Sequence, residues 1–211
     1  MPLNPARLYA IVDVELCARR GWAPRELARA YLTGGARLLQ LRAKGLGGAA
    51  FLDLATAMVG DARGVGAQVI VNDRADIAAL SGAAGVHMGQ DDLTVDDARR
   101  IVGTEAVVGL STHTHTQLQD ALRQSISYVA VGPVFGTSTK VTGYDAVGLE
   151  LVRDASALAS AKGIPVVAIG GITLDRVGSV WDAGAASAAV ISDLVTDDPA
   201  ARVEQFLDAV K

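Results

Sequence analysis

Cysteine occurs once, at Cys17, which excludes an internal disulfide and fits a reducing, cytosolic setting. The three histidines match no zinc-ligand spacing and have no thiolate partners, so a zinc centre is not expected. Aromatic residues make up only 4% of the chain, so the core has to be built from Ala, Val, Leu and Ile. Positive charge is in deficit. The net charge is −4, acids and bases are interspersed, and there is neither the basic stripe that nucleic acid requires nor a polybasic membrane patch. No apolar run reaches the roughly 18 residues of a membrane span. The opening MPLNPARLYAIVDV lacks a basic stretch followed by a long apolar one, and so does not read as a signal peptide. The GxSxG elbow of serine hydrolases is missing, and no GxGxxG turn follows the first apolar run.

What is present is apolar and rhythmic. Half of the 211 residues are hydrophobic and the mean hydropathy is +0.31, ample for a full core. Eight short runs read as strands: LYAIVD, ARLLQLR, AQVIVN, GVHM, AVVGLS, YVAVGPV, IPVVAIG and SAAVIS. Several are almost continuously apolar, as parallel strands buried on both faces should be. The segments between them carry helix signals. Pro24 opens a helix with Leu27, Ala30 and Tyr31 on one face and Gly34–Gly35 as its stop. Thr94 and Asp97 have capping-box spacing, and Gly103 ends that helix. Thr173 is expected to cap a helix with Leu174, Val177 and Trp181 inward and Gly184 as its stop. Asp198 and Pro199 open the last helix, with Val203, Phe206, Leu207 and Val210 buried. Eight strand–helix units without a linker or a composition shift predict a single-domain (β/α)₈ TIM barrel over residues 1–211. A doubly wound sheet is the runner-up; it usually needs fewer units.

Barrel chemistry sits at the C-terminal ends of the strands, and polar residues gather there. In LLQLRAK, the side chains of Gln40, Arg42 and Lys44 alternate with Leu41 and Ala43, so an extended chain aims all three one way. Arg42 offers a planar fork for phosphate oxygens, and Lys44 and Lys140 offer point charges. Thr137, Ser138 and Thr139 place hydroxyls beside Lys140. Gly170 and Gly171 admit backbone N–H groups close to a ligand, GGIT is expected to open a helix, and Ser192 follows the eighth strand. Together they mark the common barrel phosphate site. Asp73 follows the third strand, and Asp91 and Asp92 follow the fourth. Neighbouring strands lie roughly 5 Å apart, so carboxylates on these two ends can share one cation, and Mg²⁺ suits a few carboxylates plus phosphate oxygens. Other readings stay open here: Asp73 as the cap of RADIAAL, Asp91 or Asp92 as a turn residue, and His87 as a buried core histidine. His113 can face the site, and His115 is expected to begin a helix. An anion is the natural partner for basic groups that would otherwise be buried unpaired.

In this order, LYAIVD, QLRAK, VNDRADIA, GVHMGQDDL, GLSTH, GPVFGTSTK, AIGGI and VIS resemble the thiamine-phosphate synthase family nearly end to end. The resemblance implies Mg²⁺-dependent joining of a hydroxymethylpyrimidine diphosphate to a thiazole phosphate, plain or carboxylated, with release of pyrophosphate. It implies that Gln40, Arg42, Lys44, Asn72 and Lys140 hold the pyrimidine diphosphate and that Asp73 and Asp92 bind Mg²⁺. Ser111 would contact the pyrimidine or its leaving group. Thr137, Thr139, Gly171, Ile191 and Ser192 would hold the thiazole phosphate. Catalysis would rest on Lys140, Arg42 and Ser111, which stabilise the departing diphosphate while the C–O bond ionises. Ala43 stands where the family often has an acidic residue and is expected to point away from the site; Gly136 replaces a common Pro or Ala. A cytosolic enzyme follows, with small-molecule partners and a homo-oligomer allowed. The rivals are a thiazole tautomerase using His113 without metal, another phosphate-binding barrel such as a sugar-phosphate epimerase, and a silent paralogue that binds thiamine phosphates.

Overall fold

A computed structural model describes residues 6–136 and 145–209. Eight parallel strands close into one barrel in chain order: β1 (Leu8–Asp13), β2 (Leu38–Arg42), β3 (Gln68–Asn72), β4 (Gly85–Met88), β5 (Val107–Thr112), β6 (Tyr128–Val131), β7 (Val166–Ile169) and β8 (Ser187–Val190). All eight predicted runs are strands, and β8 pairs back onto β1. The barrel, not the doubly wound sheet, is the architecture. Around it lie α1 (Val14–Arg20), α2 (Pro24–Thr33), α3 (Gly48–Arg63), α4 (Ala75–Ser81), α5 (Val95–Val102), α6 (His115–Ala121), α7 (Gly148–Ser160), α8 (Val177–Asp182) and α9 (Pro199–Asp208). None of the described helices is long and apolar enough to cross a membrane.

Strand alternation divides the apolar residues into two layers. Leu39, Leu41, Val69, Val71, Val86 and their like point outward under the helices and form the larger core. Tyr9, Ile11, Leu38, Ile70, Val107 and Tyr128 point inward with small Ala130 and Ala189 and fill the barrel's middle. Ala43 belongs to the outer layer, away from the mouth, as its place in the QLRAK alternation predicts.

The helix signals hold with one shift of boundary. Thr94 caps α5, accepting the Asp97 N–H at 3.1 Å. Asp198 caps α9 ahead of Pro199, and Val203 and Phe206 are fully buried beneath it. Leu207 is only half-buried, and Val210 lies outside the described residues. In α2 the buried face is Leu27, Ala28, Tyr31 and Leu32, one step round from the predicted stripe, with Ala30 at its edge. Thr173 does not cap α8, which starts at Val177. Its carbonyl accepts the N–H groups of Arg176 and Val177 in a preceding turn, and Asp193 takes the Leu174 N–H at 3.0 Å.

A core poor in aromatics still places the Tyr9 and Tyr128 rings at its centre, and a glycine makes room for the second. A Cβ added at Gly109 on β5 would lie 2.0 Å from the Tyr128 ring. Gly109→Ala is therefore expected to overpack the barrel and lower stability by about 1–3 kcal/mol, read as a shift in the urea midpoint. An unchanged midpoint would show that the Tyr128 ring has free space to move into.

Candidate active site at the barrel mouth

At the C-terminal ends of the strands lies a cavity of about 270 Å³. It gathers Gln40, Arg42 and Lys44 from β2 and its loop, Asn72 and Asp73 from β3, Asp92 after β4, Ser111 on β5 and Ile191 after β8. Eight residues expected from the sequence thus share one space. Lys140, Thr137 and Thr139, with Ser138, lie outside the described residues. Gly171 and Ser192 follow β7 and β8 on the same rim but do not line this cavity. Gly170 and Gly171 adopt φ of 103° and 63°, and Gly171 has Gly136 O so near that a Cβ there would stand 2.5 Å from it. Because α8 begins only at Val177, the backbone after Gly171 is a turn rather than the expected helix start.

The two basic groups are not unpaired, which corrects the expectation that only an anion could balance them. Register sets Asp13, the last residue of β1, beside Arg42. Its Oδ2 accepts from Arg42 Nη1 at 2.5 Å, and Glu15 Oε2 stands 3.6 Å from the same nitrogen. Asp13 is 3% exposed, and its other oxygen caps α1 through the Leu16 N–H. Lys44 Nζ is 3.3 Å from Asp73 Oδ2. Each cation therefore pairs with an acid while lining the cavity.

Asp73 and Asp92 line the same cavity, near enough for each to feel the other's charge, as the adjacency of β3 and β4 predicts. Burial, then the neighbouring Asp92 carboxylate, push the Asp73 carboxyl above its ordinary range against the pull of Lys44. Asp73 is not the cap of α4; that position is Arg74. It holds φ of 63°, the one non-glycine with positive φ among the described residues, while its N–H donates to His87 O at 2.8 Å. Asp92 fills the turn role considered for it, its Oδ2 accepting the Gly89 N–H at 2.7 Å. Asp91 lines the cavity as well, and both it and Asp92 are exposed.

Below the mouth a hydrogen-bonded chain crosses the barrel. Gln40 Nε2 donates to Tyr9 Oη at 3.0 Å, and the Tyr9 and Tyr128 hydroxyls are 3.1 Å apart. Tyr128 Oη lies 2.8 Å from His87 Nδ1, and His87 Nε2 lies 2.8 Å from Ser111 Oγ. His87 is thus the buried, satisfied histidine that its apolar context suggests. His113 lines the cavity with Nδ1 2.5 Å from Gly132 O, and His115 begins α6. Gln90 ties the loop after β4 to β5 through Ser111 O at 2.6 Å. Asp13, Glu15, Gln90, Tyr9 and Tyr128 are participants that the sequence reading missed; for Asp13 the signal was its inward parity with Tyr9 and Ile11, directly beside Arg42.

Comparison with known proteins converges on one description. A family model described as thiamine monophosphate synthase matches residues 8–194. A thiamine-phosphate synthase from Koribacter versatilis is 42% identical over 209 residues, covering 97% of this chain and 96% of its own. Another from an Arthrobacter species is 42% identical over 230 residues, covering 99% and 95%. Among solved structures, a thiamine phosphate pyrophosphorylase from Pyrococcus furiosus superposes with a TM-score of 0.87 at 29% identity, covering 98% of this chain and 96% of that one.

Proposed function

This chain belongs to the thiamine monophosphate synthase family, and on that premise we propose that its barrel mouth binds a pyrimidine diphosphate together with Mg²⁺ and joins it to a thiazole phosphate. Its activity is thiamine-phosphate synthesis in thiamine biosynthesis, a transfer that releases pyrophosphate. The observation that carries the finer reading is the convergence of Arg42, Lys44, Asp73 and Asp92 on one cavity.

The donor set suits Mg²⁺. Two neighbouring carboxylates in one cavity repel when both are ionised, and a hard divalent cation relieves that. No described group of three or more His, Cys, Asp or Glu side chains could hold a metal, so water and diphosphate oxygens would complete the shell. Asp73 and Asp92 would hold the ion, and bound there it would neutralise charge on the diphosphate.

Arg42 engages Asp13 through Nη1, so its remaining N–H groups would grip phosphate oxygens, with Lys44 and Asn72 alongside and Gln40 deeper in the barrel. In the reaction, the C–O bond to the diphosphate breaks and its electron pair leaves with pyrophosphate. The thiazole nitrogen's lone pair then forms the new C–N bond, and no protein nucleophile is needed. Arg42, Lys44, Ser111 and Lys140 would stabilise the departing charge, an electrostatic task that preorganised donors do well. Gly171, Ile191 and Ser192, with Thr137 and Thr139, would hold the thiazole phosphate.

Mixing the two substrates should release pyrophosphate with Mg²⁺ and stop on addition of chelator. Isomerisation of a thiazole carboxylate phosphate without metal, or binding with no turnover, would overturn the reading.

A further inference from the structure

We propose that Tyr128 and His87 are positioning residues: their hydrogen bonds fix Ser111 as a donor whose proton points into the cavity. The inference rests on the reading of the mouth as the synthase site and adds a direction to the buried chain beneath it.

Counting protons gives that direction. Tyr9 Oη has two partners, Gln40 Nε2 and Tyr128 Oη. An amide nitrogen only donates, so Tyr9 accepts from Gln40. If Tyr128 also donated to Tyr9, the single Tyr9 proton would have no acceptor, and Tyr9 is 1% exposed. Tyr9 therefore donates to Tyr128. Tyr128 has one proton of its own, and its remaining partner is His87 Nδ1. That nitrogen must accept, which places the imidazole proton on Nε2. Nε2–H then donates to Ser111 Oγ, and the serine's own proton is left for the cavity that Ser111 lines. Each proton from the Tyr9 hydroxyl to His87 Nε2 then has an acceptor.

The chain is also held rigidly. The His87 and Tyr128 rings stack at 16° with centroids 5.6 Å apart, and Tyr9 meets Tyr128 edge-on at 6.0 Å. Burial raises both phenols above their ordinary range, so both remain O–H groups at working pH. A donor aimed at the mouth suits a ligand rich in acceptor oxygens, such as a diphosphate gaining charge as it leaves.

Two measurements test this. In ¹⁵N spectra of the wild-type protein, His87 should carry its proton on Nε2; a proton on Nδ1 overturns the proposal, whatever the variants do. In kinetics, Tyr128→Phe removes the donor to Nδ1 and should lower kcat about tenfold, with little change in KM for the thiazole phosphate. Tyr9→Phe leaves the Tyr128 donor in place and should lower kcat by less than about threefold. Equal losses in the two variants would refute the direction. Ser111→Ala separates this inference from the one beneath it. Full turnover there would remove Ser111 from the site altogether, whereas lost turnover with the proton on Nδ1 would sink only the positioning role.

Discussion

Asp73→Asn is expected to lower pyrophosphate release by on the order of 10²-fold or more at saturating substrates, while the protein melts at or above the parent's temperature. The two halves of that expectation have one cause. Asp73 sits at φ of 63°, a conformation that asparagine tolerates at least as well as aspartate, so the substitution removes charge without disturbing the backbone. The bond from its N–H to His87 O is kept. Without a cation, burial and then the neighbouring Asp92 carboxylate push the Asp73 carboxyl above its ordinary range. An acid whose folded-state value is raised costs stability as the pH rises from its ordinary value through the raised one, so ionising Asp73 is a burden on folding. Asparagine lifts the burden and takes away half of the proposed Mg²⁺ seat. Near-normal turnover would remove Asp73 from the metal site. Lost turnover together with a lower melting temperature would make it a structural residue instead.

Why this pair could be read from the sequence while the buried chain could not is a matter of distance in the sheet. Asp73 and Asp92 follow consecutive parallel strands, so knowing the strand order is enough to bring them together. The inward turn of Gln40 and Arg42 follows from period-two alternation within one strand. Several strands were legible as nearly continuous apolar runs because both of their faces are covered, one by helices and one by the barrel filling. Tyr9 and Tyr128 are 119 residues apart, on β1 and β6, which do not pair; only closure of the barrel makes them meet. The start of α8 escaped for a local reason. Gly170 and Gly171 turn the chain through positive φ, and Asp193, from beyond β8, takes the Leu174 N–H that a cap at Thr173 would have served within the helix. Propensity could place a cap in that stretch, but a carboxylate arriving from another strand decided where the helix begins.

Asp13→Ala should be the most destabilising single change at the mouth, costing roughly 3 kcal/mol or more in urea unfolding. Removing this carboxylate strands Arg42, whose side chain is 15% exposed, and strips the α1 cap that accepts the Leu16 N–H at 2.8 Å. Glu15 Oε2 limits the loss. It has no hydrogen-bond partner, lies 3.6 Å from Arg42 Nη1, and can move closer. The double variant Asp13→Ala/Arg42→Met tests the cause, because it deletes the stranded charge along with its partner. It should unfold at higher urea than Asp13→Ala alone, yet remain inactive for want of the guanidinium. Pyrophosphate with Mg²⁺ offers a second test. If an anion in the cavity can stand in for the missing carboxylate, it should stabilise Asp13→Ala more than it stabilises the parent. Should the double variant be no more stable than the single one, Arg42 was never stranded and the loss belongs to the helix cap. Should added pyrophosphate stabilise the parent and Asp13→Ala equally, Arg42 does not face the diphosphate, and the proposed grip on the leaving group loses its main cation.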